Sequence, residues 1–231
     1  MTADRARLVD QLLDDGRRAV LTVTERADGD LRVTGPPRDL DARRRAISDD
    51  PWTWLDQVHG AGVVTVAQPG GHAGARADGA VTTATGAPIA VHTADCAPIG
   101  LVGAAGVVGV AHAGWRGLVA GVVAETVGRM RALADGPITA VVGPCIHPEC
   151  YEFGAADLDL VAEALGADVR AVTGHGTPAL DLPGAARTAL ADAGVEIVEV
   201  DPRCTGCDPA FFSHRARADR GRQALLGWIE P

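Results

Sequence analysis

The sequence contains no lysine, and all 21 of its basic residues are arginine. Acidic residues outnumber them, which gives a formal net charge of −9. Proteins that bind nucleic acid independently of sequence neutralise phosphates with clustered basic residues, and this chain has no basic run. The composition therefore predicts no nucleic-acid partner. A local arginine pocket for a small anion stays open, because the guanidinium group pairs well with phosphate.

No segment of the given sequence has the pattern typical of a signal peptide or a membrane span. No apolar run approaches the ~18 residues that a membrane span requires. The first 20 residues are charged throughout and contain no apolar stretch typical of a signal peptide. Five cysteines, an odd number, argue against a disulfide framework. We therefore expect a cytoplasmic protein with no membrane partner.

The order of predicted elements indicates the fold class. Apolar spacing predicts helices over 3–15, 41–47, 117–133, 155–165 and 183–193, and strands over 19–23, 62–67, 89–92, 99–102, 107–111, 138–142 and 195–200. Several strands follow one another without an intervening helix, which favours an α/β fold of mixed β-sheets with flanking helices over a doubly wound parallel sheet. The chain has no internal repeat or low-complexity linker. We therefore predict a single domain over 1–231.

Three short segments hold the side chains that bear the most chemistry. They are QVHG (57–60), HTADC (92–96) and AHAGWRG (111–117). His59, Cys96 and His112 are nitrogen and sulfur ligands of the kind that zinc takes, and three protein ligands leave a fourth position open, as in catalytic zinc sites. Their spacing is not a known local metal motif. On the residues alone, separate structural roles remain the alternative to a shared site.

The other four cysteines offer a competing metal site. Cys145 and Cys150 form a C-x4-C pair, and Cys204 and Cys207 form a C-x2-C pair. Together they could make a closed structural zinc site, or the C-x2-C pair could be redox-active. Inert thiols are the third interpretation.

Several motifs together resemble one family. They are QVHG, ADGAVTT (77–83), TADCAP (93–98), HAGWRG (112–117), GPCI followed by CYEF (143–153), and FFSHR (211–215). The chain resembles the YfiH-like family, also called multicopper polyphenol oxidase (laccase domain), purine nucleoside phosphorylase and peptidoglycan editing factor. The resemblance implies a single α/β domain with mixed sheets and a zinc ion held by His59, Cys96 and His112.

The first 50 residues or so depart from the family pattern. Family members usually show Thr-Arg-x-Gly-Gly, then Leu-Asn-Leu, then an Asn-Arg pair ahead of QVHG. Here Thr24-Glu25-Arg26 resembles the first motif and Arg44 or Arg45 the last, while the glycine pair and the asparagines are absent. We therefore expect a divergent N-terminal segment, which bears on substrate preference more than on the metal site.

The resemblance implies a zinc-dependent purine nucleoside phosphorylase, which converts adenosine or inosine and phosphate to free base and ribose-1-phosphate. It also implies adenosine deamination. The alternatives are hydrolytic editing of peptidoglycan precursors, copper-dependent polyphenol oxidation, and a non-catalytic descendant that keeps its zinc (Zn²⁺) for stability. Copper (Cu²⁺) could replace zinc at a nitrogen and sulfur site. A full multicopper set is excluded, because the chain has seven histidines and no His-x-His pair.

Four residues are candidates for supporting roles. Asp95 and Arg116 are the candidate catalytic residues: Asp95 to orient a ligand histidine or a substrate hydroxyl, and Arg116 to bind phosphate. Arg215 and Asp78 are the candidate substrate-binding residues. The structural alternatives are a turn carboxylate for each aspartate and a surface arginine at a helix start for Arg116.

Overall fold

Residues 7–231, which a computed structural model of the protein describes, form fourteen strands and six α-helices. The strands are β1 (Arg7–Leu12), β2 (Arg18–Val23), β3 (Thr53–Asp56), β4 (Val63–Val66), β5 (Ala75–Arg76), β6 (Gly79–Thr82), β7 (Ile89–Thr93), β8 (Ala97–Gly103), β9 (Val107–Ala113), β10 (Ile138–Val142), β11 (Arg170–Val172), β12 (Pro178–Leu180), β13 (Glu196–Val200) and β14 (Gln223–Glu230). The helices are α1 (Pro37–Arg45), α2 (Trp115–Ala120), α3 (Val122–Leu133), α4 (Ala155–Leu165), α5 (Leu182–Asp192) and α6 (His214–Arg217).

Two six-stranded mixed sheets organise these elements. The first sheet has the order β1-β2-β14-β7-β3-β5, and the second has the order β13-β10-β8-β9-β6-β4. Antiparallel pairs predominate, while β3 is parallel to β7 and β5, β4 to β6, and β10 to β13. This confirms the predicted α/β class with mixed sheets.

The two sheets pack face to face through small and β-branched side chains. Gly227 of β14 faces β9, where a Cβ would lie 2.6 Å from Cγ1 of Val108. Gly100 of β8 faces β2, where a Cβ would lie 2.7 Å from Cδ1 of Leu21. Glycine at these positions allows a closer approach than any side chain would permit. β8 and β9 are buried along their whole length, as expected for strands covered on both faces.

Helices cover the outer face of the second sheet. The apolar side of α3, which includes Val123, Val127 and Met130, packs with α4 and α5 in the main hydrophobic cluster. The outer face of the first sheet has a smaller cluster, in which Leu40 of α1 and Trp52 lie with Leu226 of β14. The core therefore lies mainly between the sheets and under α3–α5.

Most sequence predictions of elements are confirmed, with strand bounds shifted by at most two residues. The helix predicted over 3–15 is wrong where the structure describes it: residues 7–12 form β1, and residues 3–6 lie outside the described part. Pairing with β2 across the Leu13–Arg17 turn, with an ion pair between Arg18 and Asp10, outweighs the local helical spacing.

The helix predicted over 117–133 is two helices, α2 and α3, because Gly121 has a left-handed φ of 88°. The helix predicted over 41–47 begins earlier, at Pro37. The sequence analysis missed the short strands β3, β5, β6, β11 and β12 and the long strand β14. Within residues 7–231, no helix is both long enough and apolar enough to cross a bilayer.

Candidate metal centre and adjoining cavity

The three predicted ligands converge at the ends of strands from both sheets. His59 follows β3 of the first sheet, Cys96 lies in the turn between β7 and β8, and His112 lies near the end of β9 in the second sheet. Their ligand atoms all lie within 4.8 Å of one another. Nε2 of His59 is 3.9 Å from Sγ of Cys96. Segments far apart in the chain thus present one nitrogen and sulfur donor set.

The turn that carries His59 is held by a buried carboxylate. The backbone N–H groups of Val58, His59 and Gly60 donate to Asp78 at 3.1, 2.9 and 2.7 Å. His59 itself has a left-handed φ of 59°, a conformation that costs a non-glycine residue free energy unless its surroundings enforce it. The three hydrogen bonds supply that enforcement and fix the direction of the His59 ring.

The same carboxylate orients His112. Nδ1 of His112 lies 2.8 Å from Oδ1 of Asp78, and both side chains are buried. This hydrogen bond leaves Nε2 of His112 available to a cation, which is the usual arrangement of a carboxylate behind a ligating histidine. Burial alone would raise the pKa of Asp78, but the hydrogen bonds from His112 and the 58–60 turn hold it below its usual value.

Asp78 therefore holds two of the candidate metal ligands, His59 and His112, from behind. The sequence analysis placed it among the substrate-binding residues, whereas the structure buries its carboxylate completely under the 58–60 turn and His112. It does not line the cavity described below. The signal that could have found this role is the ADG motif following β5, although sequence gives no indication of what the turn faces.

Cys96 and His112 favour opposite charges. Desolvation opposes ionisation of Cys96, yet the charge and hydrogen bonds of His112, with His59, lower its pKa to about 6. Desolvation likewise opposes protonation of His112, but Cys96 and Asp78 raise its pKa to about 9. The thiolate is the form that binds metal, and a bound cation would take the place of the His112 proton.

Gly114 leaves room for the donor set. A Cβ at this position would lie 3.0 Å from Sγ of Cys96 and 3.0 Å from Cδ2 of His59. Both neighbours belong to the candidate ligands, so any side chain at 114 would push them apart. The absence of a Cβ, the donor chemistry and the orienting carboxylate together fit a tetrahedral zinc site with one position for a substrate or water.

A cavity of about 450 Å³ opens onto these ligands. His59, Cys96 and His112 line it together with Arg32, His92, Asp95, Tyr151, Arg215 and Arg222. This volume is within the usual range for small-molecule sites. The cavity therefore combines the candidate metal ligands with several cationic side chains.

Asp95 shapes the wall of this cavity. Its φ of 106° is unusual for a non-glycine residue. Its carboxylate accepts hydrogen bonds from Oγ1 of Thr205 at 2.8 Å, Oγ of Ser213 at 2.6 Å and the backbone N–H of Arg215 at 2.7 Å. The sequence analysis suggested that Asp95 orients a ligand histidine or a substrate hydroxyl; the carboxylate that is hydrogen-bonded to a candidate ligand histidine is that of Asp78.

The two candidate anion-binding arginines are differently placed. Arg215 lines the cavity, its guanidinium carbon lies 4.8 Å from the centre of the Tyr151 ring, and its NH1 donates to the backbone oxygen of Glu152. Arg116 is exposed, stacks on Trp115 at 4.2 Å, and is not among the residues that line the cavity. The geometry thus favours Arg215 over Arg116 for contact with a ligand.

The sequence analysis missed His92, which is buried beside the candidate ligands. Both of its ring nitrogens lack a hydrogen-bond partner among the described residues. Burial, aided by the charge of Arg44, lowers its pKa to about 3, so the ring is neutral. Gln57 fixes the backbone at this point through paired hydrogen bonds with His92 at 2.8 and 2.7 Å. The location within HTADC was the only sequence signal for this residue.

Three of the other four cysteines also come together. The sulfurs of Cys150, Cys204 and Cys207 lie within 4.8 Å of one another. Cys145 is outside that group and is buried in the main core, where burial raises the pKa of its thiol well above the usual value. The predicted four-cysteine set is thus reduced to three.

Comparison with known proteins identifies relatives of the chain. Residues 24–230 match the model of a family described as multi-copper polyphenol oxidoreductase laccase. A Mycobacterium tuberculosis protein named purine nucleoside phosphorylase is 42% identical over 180 residues, which cover 77% of this chain and 72% of the relative. An Escherichia coli protein named purine nucleoside phosphorylase YfiH is 40% identical over 186 residues, covering 76% and 73%.

Solved structures show the same architecture. The crystal structure of YlmD from Geobacillus stearothermophilus superposes with a TM-score of 0.80 at 31% identity, and covers 94% of this chain and 93% of that one. The fold, including the two mixed sheets, is therefore shared with this relative.

Proposed function

This chain belongs to the family described as multi-copper polyphenol oxidoreductase laccase, and from that premise we propose that it is a zinc-dependent purine nucleoside phosphorylase. The proposed reaction transfers the ribosyl group of adenosine or inosine to phosphate, which breaks the bond between C1′ and the purine and forms ribose-1-phosphate. One observation carries the proposal: a single cavity joins the His59, Cys96 and His112 donor set to arginines suited to phosphate. The names of the relatives at 40% and 42% identity support the same reaction.

Zinc suits the donor set and, when bound, supplies Lewis-acid polarisation of an oxygen of phosphate or ribose. The chain's own contribution is to hold that donor set in place. Asp78 fixes the His112 ring through Nδ1 and the His59 turn through backbone N–H groups. Because these groups are already positioned, little reorganisation is needed when substrate binds.

Phosphate binding falls to the arginines of the cavity. The NH2 group of Arg32 lies 3.7 Å from a carboxylate oxygen of Asp30, whereas its Nε is buried and has no partner among the described residues, so Nε is the donor proposed for an anion. Arg215 is held from two sides, by Asp95 at its backbone and by Tyr151 under its guanidinium. A planar guanidinium donates two parallel hydrogen bonds to phosphate. Asp95 is thus proposed as a positioning residue for Arg215.

The neutral ring of His92 is suited to the nucleoside. One ring nitrogen donates and the other accepts, and both are buried at the cavity wall without a partner among the described residues. Leaving such groups unpaired costs free energy. A ribose hydroxyl or a purine nitrogen would satisfy them, so we propose that His92 contacts the substrate.

The test is turnover of adenosine with phosphate by purified protein of known metal content. Wild type is expected to bind zinc at the His59 site and to form adenine and ribose-1-phosphate, and His112→Ala is expected to lose both. The matched control is His175→Ala, because His175 is exposed on the loop between β11 and β12. It should keep metal and activity.

Other products would point to the other reactions. Inosine and ammonia would assign adenosine deamination, and release of an amino acid from a peptidoglycan precursor would assign editing. Oxygen consumption with a phenol and copper would assign oxidation. Bound zinc without turnover of any of these substrates would overturn the proposal in favour of a non-catalytic descendant.

A further inference from the structure

The three clustered cysteines lie on two segments that meet beside the cavity wall. Cys150 ends a short 3-10 helix at Pro148–Cys150, and Cys204 and Cys207 flank a tight turn. In that turn the backbone N–H of Cys207 donates to the oxygen of Cys204 at 3.1 Å. Sγ of Cys150 lies 3.2 Å from Sγ of Cys207. The C-x2-C turn and a cysteine from a distant segment thus direct three sulfurs to one point.

Backbone N–H groups face the sulfur of Cys204 and act against its burial, which raises the pKa of the thiol above the usual value. The sulfur accepts a hydrogen bond from the backbone N–H of His147 at 3.3 Å, and the backbone N–H groups of Gly206 and Cys207 also interact with it. Several backbone N–H groups directed at one atom form a site for negative charge. Hydrogen bonds of this kind to ligating atoms are what a bound metal requires of its surroundings.

Gly206 keeps the two segments in contact. A Cβ at this position would lie 2.8 Å from Cβ and 3.1 Å from Sγ of Cys150. Arg217 holds the turn from the other side, because its NH1 donates to the oxygen of Gly206 and its NH2 to that of Thr205. The sulfur cluster is therefore built into packed backbone rather than formed by chance contact of exposed side chains.

We propose that Cys150, Cys204 and Cys207 bind a second zinc ion, separate from the one at His59, Cys96 and His112. Zinc–sulfur bonds of ~2.3 Å in a tetrahedron place neighbouring sulfurs about 3.8 Å apart. The separations here, 3.2 Å for one pair and under 4.8 Å for the rest, bracket that value. Oε1 of the exposed Glu149 lies 3.7 Å from Sγ of Cys207, and this carboxylate or a water molecule would complete the tetrahedron.

A zinc ion here would hold part of the cavity wall in place without contacting the substrate. Thr205, inside the C-x2-C turn, donates its hydroxyl to Asp95, which lines the cavity. Tyr151, directly after Cys150, lies under the Arg215 guanidinium. The ion would tie together the two segments that carry Thr205 and Tyr151. It is a structural site, and it does not depend on which reaction the cavity catalyses.

The test is zinc stoichiometry of the full chain, purified under reducing conditions with zinc and measured by elemental mass spectrometry. Wild type is expected to hold two zinc ions, Cys207→Ser one, His112→Ala one, and the double variant none. Cys207 is exposed, so Cys207→Ser is expected to fold. Cys145→Ala is the matched control, because Cys145 lies outside the cluster, and it should keep both ions.

A second readout separates the two sites directly. In the His112→Ala background, cadmium should give the near-ultraviolet absorption of metal-bound thiolates, and Cys207→Ser should reduce it. One zinc ion in both wild type and Cys207→Ser would overturn the proposal. An intact mass lower by two hydrogens after purification without reductant, with no zinc at the cluster, would also overturn it and assign a Cys150–Cys207 disulfide. Loss of turnover with both ions retained would bear only on the proposed reaction.

Discussion

Oδ1 of Asp78 accepts a hydrogen bond from Nδ1 of His112 at 2.8 Å and, at 2.9 Å, from the backbone N–H of His59. One buried oxygen atom thus positions two of the three candidate ligands, one through its ring and the other through its backbone. The two ligands come from different sheets, so this contact sets the geometry of the donor set more directly than any contact within one strand.

Asp78→Asn is expected to weaken zinc binding at this site by about 10–100-fold, the range typical for loss of a carboxylate behind a ligating histidine. The amide keeps the size of the side chain but offers a single acceptor oxygen and no charge. Competition with a chromophoric chelator measures the change. Asp135→Asn is the control, because Asp135 is exposed in the loop after α3. Equal affinities for the two variants would contradict the role of Asp78.

Zinc affinity is expected to rise about tenfold per pH unit between about pH 6 and about pH 9. In this interval the metal-free pair is thiolate Cys96 and protonated His112, with pKa values of about 6 and about 9. Each ion bound therefore displaces one proton from the pair. Below about pH 6 the thiol must also lose its proton, so the dependence steepens, and above about pH 9 it flattens.

Chelator competition at pH 6.5, 7.5 and 8.5, corrected for the protonation of the chelator, measures this dependence. A flat profile over these three values would show that His112 is already neutral in the metal-free protein. Asp78→Asn removes one cause of the raised His112 pKa, so its profile is expected to flatten at a lower pH.

Gly114→Ala is expected to reduce zinc affinity at the His59 site at least tenfold while the protein stays folded. Gly114 has a φ of −72°, which alanine adopts without strain, so the effect comes from the added methyl group near Sγ of Cys96 and Cδ2 of His59. Gly128→Ala adds the same group on the exposed side of α3, where nothing lies within 4 Å. It should leave affinity unchanged.

Arg32→Gln is expected to raise the KM for phosphate at least tenfold with a smaller effect on the KM for nucleoside. Glutamine keeps a polar side chain but cannot offer the paired, charged donors of a guanidinium. Steady-state kinetics with each substrate varied in turn separates the two constants. Arg187→Gln, on the exposed side of α5, is the matched control. A rise in nucleoside KM alone would place phosphate elsewhere in the cavity.

Gly227→Ala is expected to lower the free energy of unfolding by about 1–3 kcal/mol, the usual cost of inserting a methyl group into a packed interior. Its Cβ would lie 2.6 Å from Cγ1 of Val108 and 2.9 Å from Cδ2 of Leu21, between the two sheets. Urea denaturation of the metal-free protein measures the change. The control Gly128→Ala, which removes a glycine from a helix interior, should raise the free energy of unfolding by up to about 1 kcal/mol. Equal free energies of unfolding for Gly227→Ala and wild type would mean that the two sheets move apart without cost to accept the methyl group.

The sequence predicted what depends on local pattern and ligand chemistry. The buried strands β8 and β9 and the helices α4 and α5 have clear periodicities. The donor atoms and the family motifs predict His59, Cys96 and His112 as zinc ligands.

The helix predicted over 3–15 is wrong at β1, because pairing with β2, a contact between segments, decides the conformation of these residues. Asp95 is adjacent to Cys96 in sequence, but its carboxylate faces Thr205 and Ser213, while the more distant Asp78 faces His112.

His92 is a candidate functional residue that the sequence pattern does not reveal. The three residues before it in β7, 89–91, are buried and apolar, so the sequence pattern makes it one more core position. Only the assembled cavity shows that its two ring nitrogens are buried and unpartnered among the described residues. Roles that depend on what a side chain does not contact are beyond sequence reasoning.

Because His59 extends from one sheet and His112 from the other, a bound ion would be a reversible cross-link across the seam of the sandwich. Its binding free energy then adds to the cohesion of the two sheets, as for any ligand that binds only the folded state. Metal supply would set how readily this edge of the protein opens, and the melting temperature would report the free zinc concentration. Folding stability and metal occupancy would then be linked in this protein.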